Sequence, residues 1–125
     1  MGIIATRFNS VCAVALLGAA CARGLAAAEL QRGALLFQTC TACHSVLGDG
    51  VGPDLAGIYG KKAASRPDFS YSSAMRASGL VWDEPTLNAF ISNPQAVVKG
   101  TTMTFPGYPK AADVDAVVSY LKTLK

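Results

Sequence analysis

Histidine occurs once in the 125 residues, at His44, and charge of either sign is scarce, Asp, Glu, Lys and Arg together making up 15% of the chain. No catalytic nucleophile with a partnering base stands out, so the chain does not read as an enzyme. The charged share is well below the roughly 25% of ordinary soluble domains. With a formal net charge of only +3, the chain lacks the basic surface that nucleic acid demands. There is no apolar run of roughly 20 residues, which counts against a membrane span and leaves a retained N-terminal anchor as the lesser reading. There is no sustained alternation with period two, which excludes a substantial sheet. Internal repeats and low-complexity tracts are absent, and 125 residues hold one small domain at most.

The N-terminal stretch differs from the rest. Up to Ala28 its polar side chains are few, chiefly Arg7, Asn9, Ser10 and Arg23. Arg7 gives a positive start, Val11 to Ala20 is a short apolar run, and Ala26, Ala27 and Ala28 offer small residues just before Glu29. That order reads as a secretory signal peptide over 1–28, cleaved near Ala28, ahead of a mature domain of 29–125. Removal would take Cys12 and Cys21 away and leave only Cys40 and Cys43. It would also leave nine Lys and Arg, the chain's eleven less Arg7 and Arg23, against eight Asp and Glu. A mature core of 97 residues is marginal unaided, so a bound cofactor is a plausible part of the interior.

Spacing predicts helices. Leu30, Ala34 and Phe37 share a helical face over Glu29–Gln38. Ser72–Ser78 reads as a short helix stopped by Gly79. Asp83, Glu84 and Pro85 start another that carries Leu87, Phe90 and Ile91 and stops at Asn93-Pro94. Val114, Val117, Val118, Leu121 and Leu124 form the apolar stripe of a last helix, with Asp113 and Asp115 in its first turn and Lys122 and Lys125 in its last. Between these lie two long Gly/Pro-rich loops, 48–70 and 99–110. In a small domain, loops of that length usually wrap something.

Cys40-Thr41-Ala42-Cys43-His44 is C-x-x-C-H, the attachment signature of c-type haem. Two thiols three residues apart can each add to one vinyl group on a haem edge, and the next residue offers its imidazole to the iron. A redox C-x-x-C belongs beside a βαβ pattern, which is missing here. A structural zinc site needs four ligands, more than one His and two cysteines supply. A structural disulfide would leave His44 without a role.

The other axial ligand follows from counting. Apart from the initiator, the methionines are Met75 and Met103. Met103 lies between polar neighbours in the second loop, where a chain can turn a side chain in across a flat cofactor. Met75, beside Arg76 in a short polar helix, reads as packing. A neutral thioether favours ferrous iron and raises the reduction potential. It also fills the iron, leaving no position for oxygen or peroxide.

From about Gly33 to Leu124 the chain resembles class I cytochrome c, of the mitochondrial cytochrome c and bacterial cytochrome c2 type. The matching segments are Gly33–His44, Val51–Gly60, Phe69–Ser72, Gly79–Trp82, Asn93-Pro94, Gly100–Phe105 and Ser119–Leu121. The resemblance implies an all-α cytochrome c fold, three to five short helices and long loops around one covalently bound haem c. It implies that the Pro53 carbonyl accepts from the His44 imidazole, and that Tyr71 and Trp82 donate to a buried propionate. It makes Thr101 the threonine of the methionine loop and Phe105 the aromatic beside the exposed haem edge. Gly33 and Phe37 become the place where the first helix crosses the last, near Tyr120. The chain departs from the family at Lys61, usually arginine, at Phe90, usually tyrosine, and at Met75, usually asparagine. Thr39, Gln95, Ala96, Thr102 and Pro109 stand where lysines usually ring the haem edge.

The expected function is that of a periplasmic, monomeric carrier passing single electrons between soluble or membrane-bound redox proteins. Two alternatives stand beside it: a dedicated electron-accepting subunit of one periplasmic dehydrogenase, and a haem sensor or peroxidase-like protein that sheds Met103.

Overall fold

The computed structural model describes residues 11–45 and 50–125 and, for 11–21, the helical backbone alone. Arg7, Asn9 and Ser10 of the expected signal peptide lie outside the described residues, as do the side chains of Cys12 and Cys21 and the loop residues Gly48 and Asp49.

Alanine and leucine are the strongest helix formers without charge, and the chain is rich in both from Val11 to Phe37. That whole stretch is one helix, α1 (Val11–Phe37). The predicted helix over 29–38 is its C-terminal part and ends one residue early. Every residue from 22 to 32 is exposed, and burial begins at Gly33 and Phe37. Leu30, predicted on the inner face, is 37% exposed. It lies on the face of Phe37 but two turns upstream, past the edge of the core.

A 3-10 turn, Cys40–Ala42, follows. Then come α2 (Ser73–Ala77), α3 (Glu84–Ser92), α4 (Pro94–Val97) and α5 (Ala111–Leu121). Asp83 caps α3, its carboxylate accepting from the Thr86 amide at 3.0 Å. Asn93-Pro94 ends α3 as predicted, but it also starts α4, which the sequence reading missed. Proline breaks a helix interior yet suits a first turn, and the Asn93 side chain accepts from the Ala96 amide at 3.1 Å. No helix among the described residues is long and apolar enough to cross a membrane. Among them there is no strand, only an isolated bridge between Lys62 and Val81.

The last helix buries four of the five residues of the predicted stripe, Val114, Val117, Val118 and Leu121 being nearly inaccessible, whereas Leu124 lies beyond the helix end and is half-buried. Its charges depart from expectation. Asp113 is in the first turn and pairs with Arg32 of α1, whereas Asp115 falls in the second. The helix ends at Leu121, so Lys122 and Lys125 lie beyond its last turn. Lys122 instead pairs with Glu84 of α3 at 2.7 Å and sits 5.3 Å from the centroid of the Tyr59 ring. The two terminal helices cross at Gly33, where an added Cβ would collide with the Ala116 carbonyl oxygen and lie 2.9 Å from the Tyr120 Cβ. Phe37 packs its ring 5.1 Å from that of Tyr120.

Candidate haem site

The loops wrap a cavity. The 3-10 turn places Cys40 and Cys43 at its rim, because the Cys43 and His44 amides both bond the Cys40 carbonyl. The following segment folds back on that turn: Gly52 donates to the Cys43 carbonyl at 2.8 Å and Leu55 to the Ser45 carbonyl at 3.1 Å. This return brings Pro53 under the imidazole, and His44 Nδ1 lies 2.8 Å from the Pro53 carbonyl oxygen. A carbonyl can only accept, so Nδ1 carries the hydrogen and Nε2 keeps its lone pair, the usual preparation of a metal-ligating histidine. Gly52 makes the approach possible. A Cβ there would lie 2.7 Å from Nδ1 and 2.9 Å from Nε2 of His44, so alanine would push the ring off Pro53.

Trp82 is held from both sides by backbone: its amide donates to Lys61 at 2.8 Å and its carbonyl accepts from Gly60 at 2.9 Å. Its ring is buried and packs 5.0 Å from that of Phe90. Tyr71 packs edge-on against Phe69 at 4.8 Å. The second loop is pinned at its far end. Gly107, with φ of +102°, passes so close to the Ser92 carbonyl that no side chain fits. Tyr108 then donates from its amide to Ile91 at 3.0 Å and from its hydroxyl to the Leu36 carbonyl at 2.8 Å. Within the loop, Thr101 is buried, and its hydroxyl accepts from the Met103 amide at 3.3 Å. Phe105 packs edge-on against Tyr108 at 5.0 Å.

These pieces enclose about 540 Å³, within the roughly 300–1,000 Å³ of ligand and cofactor pockets. Cys40, Cys43, His44 and Pro53 line it, together with Tyr71, Trp82, Thr101, Met103 and Phe105. The structure thus brings all nine predicted site residues to one cavity. Met75 also lines it and is buried at 8% exposure, part of the apolar core. Two contributors were not singled out from sequence as shaping the site. Gly52 looks like any loop glycine. Gln95, noted only as a missing lysine, donates to the carbonyls of Thr101 at 2.9 Å and Met103 at 3.2 Å.

The two cysteines are unbonded to each other, against the disulfide reading. Burial pushes the Cys40 thiol above its ordinary pKa, whereas redox C-x-x-C pairs lower theirs. The residues fit a c-type haem. Two free thiols, one imidazole with its tautomer fixed and the thioethers of Met103 and Met75 stand in an otherwise largely apolar pocket, which suits a flat macrocycle.

Comparison with known proteins agrees. The cytochrome c family model matches residues 30–125. The chain belongs to the cytochrome c family. Cytochrome c2 iso-2 of Magnetospirillum molischianum is 50% identical over 91 residues, 71% of this chain and 94% of that protein. Cytochrome c2 of Rhodomicrobium vannielii is 43% identical over 116 residues, 88% of this chain and 93% of that one. The solved structure of cytochrome cH from Methylobacterium extorquens superposes with a TM-score of 0.73 at 39% identity, covering 74% of this chain and 96% of its own. As a cytochrome c, the protein is an electron carrier rather than an enzyme and carries one covalently attached haem c.

Proposed function

We propose that residues 29–125 form a periplasmic carrier that passes single electrons between redox enzymes. Cys40 and Cys43 hold one haem by thioethers, and His44 and Met103 are the axial ligands of its iron. The observation that carries this reading is that His44, with Nδ1 committed to Pro53, and Met103 line the same cavity as the two thiols. When bound, the haem supplies a one-electron iron couple.

The chain's own residues do the rest. Pro53 holds the His44 proton on Nδ1. Met103 supplies a neutral, soft donor that favours the reduced state. Tyr71 and Trp82 offer an O–H and an N–H to a carboxylate that must otherwise be buried without partners. Thr101 anchors the methionine loop, and Phe105 covers the edge of the pocket. Leu55, Ile58, Met75 and Phe90 keep the interior dry.

Three observations support removal of residues 1–28. Residues 22–28 are all exposed, the family match begins at residue 30, and the Magnetospirillum relative has no counterpart for over a quarter of this chain. Export also places the thiols where c-type haem is attached in bacteria. Cleavage after Ala28 would leave Glu29, whose carboxylate accepts from the Ser119 hydroxyl at 2.6 Å and ties the new end to α5.

Fractionation after expression of the full chain tests the proposal. Osmotic shock should release a protein beginning at Glu29 that keeps its haem stain on a denaturing gel. Once reduced, it should be reoxidised by membranes and reduced again by a periplasmic donor over many turnovers. Retention in the membrane pellet with residues 1–28 intact would overturn the localisation, and single-turnover behaviour with one tightly bound enzyme would overturn the free-carrier role.

The positions where the family usually carries lysines hold a further expectation. Thr39, Gln95, Ala96, Thr102 and Pro109 are all exposed and uncharged. Charge steering falls steeply with ionic strength only where charges face each other. The bimolecular electron-transfer rate with the natural partner should therefore change less than about tenfold between low and physiological salt. A larger drop in stopped-flow measurements would mean that another, charged face docks.

A further inference from the structure

A thioether is a weak, uncharged ligand, so how firmly it binds depends on how much freedom its loop must give up. Pre-ordering the loop removes that cost from the binding step. The loop that carries Met103 contains Gly100, at φ of +91°, and its neighbours Thr102 and Thr104 are exposed. Left alone it would be a poor platform.

We infer that Gln95 is the positioning residue for Met103. The inference rests on Met103 being an axial ligand. Gln95 stands on α4, whose first residue, Pro94, is buried and whose N-terminus is capped by Asn93. Its amide nitrogen has two hydrogens pointing apart, and it lies 2.9 Å from the Thr101 carbonyl oxygen and 3.2 Å from that of Met103. The reversed amide would set its oxygen against two carbonyl oxygens, so the nitrogen is the atom that faces them. The Thr101 amide donates to Val98 at 3.0 Å, and the Thr101 hydroxyl takes the Met103 amide at 3.3 Å. Met103 is thus gripped at both its N–H and its C=O, and both grips lead back to α4 and its C-terminal edge. Alanine lacks both donors, and glutamate has the length of glutamine without them.

Imidazole titration of the ferric holoprotein measures the grip, because imidazole binds the iron only when Met103 lets go. Gln95→Ala should raise the apparent imidazole affinity about thirtyfold, the combined worth of two ordinary hydrogen bonds. Gln95→Glu, nearly isosteric, should raise it further, since its carboxylate oxygens face two acceptors. In both, the ferric iron–sulfur charge-transfer absorption should weaken while the far-UV dichroism stays native. Asp83→Ala is the control for a merely structural role. It removes the α3 cap without touching α4 or the methionine loop, so it should lower the melting temperature and leave imidazole affinity near that of the unaltered protein. Wild-type imidazole affinity in Gln95→Ala and Gln95→Glu, with the absorption band intact, overturns the inference. So does an Asp83→Ala protein that binds imidazole as well as Gln95→Ala. If the unaltered protein has no such band, the axial-ligand reading fails first and is recognised by that result alone.

Discussion

Gly33→Ala should destabilise the holoprotein by about 3 kcal/mol or more, the upper range for forcing atoms into a well-packed core. The sign is the informative part. Gly33 lies inside α1, and at an exposed helical site alanine is better than glycine by about 1 kcal/mol. Here the new methyl would fall on the Ala116 carbonyl oxygen, 2.8 Å from its carbon and 2.9 Å from the Tyr120 Cβ. Those are backbone and near-backbone atoms of α5, which no rotamer change can move. Nor can α5 retreat, because Ala116, Val117 and Val118 are essentially inaccessible and Val117 also lines the haem cavity. The helices must separate, and the Phe37–Tyr120 ring contact separates with them. Against a total stability of about 5–15 kcal/mol, the loss is a large fraction. Guanidinium unfolding followed by far-UV dichroism should show a lower midpoint at an unchanged slope. A midpoint equal to or above that of the unaltered protein would mean that the terminal helices do not meet at Gly33.

The same contrast between local signal and tertiary placement explains what was legible in the sequence. Cys40, Cys43 and His44 announce themselves because chemistry fixes their spacing, whereas the proposal for Met103 rests on how few other donors the chain has. The α5 stripe is legible because Val114, Val117, Val118 and Leu121 repeat with the helix. Leu30 has the right period but misled, since periodicity says which face a residue is on and not whether anything covers that face. The continuation of α1 upstream of Glu29 reflects helix propensity, in a stretch whose described residues 22–28 are all exposed. Asn93-Pro94 was legible as a stop and illegible as a start, because the same capping chemistry serves both. Gly52 and Gln95 were silent for a deeper reason. Their roles lie in atoms brought from elsewhere, the His44 ring in one case and two loop carbonyls in the other, and nothing in their neighbours along the chain marks them.

Met103→Ala is expected to have the largest effect on the chemistry. With the thioether gone, the ferrous protein should bind carbon monoxide, which the unaltered protein should exclude. The reduction potential should fall by something on the order of 0.1–0.3 V, a part of the roughly 0.8 V over which axial ligands move haem potentials. Both effects follow from one cause: a soft neutral donor that prefers ferrous iron is replaced by water or nothing. Met75→Leu is the matched comparison. Met75 lines the same cavity and is buried in the same core, so a general response to disturbing the pocket should appear in both proteins. Leucine keeps its volume and apolarity, which typically costs under about 1.5 kcal/mol, and the low-spin spectrum should remain. Phe90 sharpens the comparison, because it lines the cavity without a hydroxyl and so cannot donate to the sulfur. With Met103 as the proposed ligand, its lone pairs would stay available to ferric iron, and Phe90→Tyr should raise the potential by engaging them. Carbon monoxide binding by Met75→Leu with none by Met103→Ala would move the ligand to α2. Binding by neither variant would show that the sixth position is held by a group outside this pair.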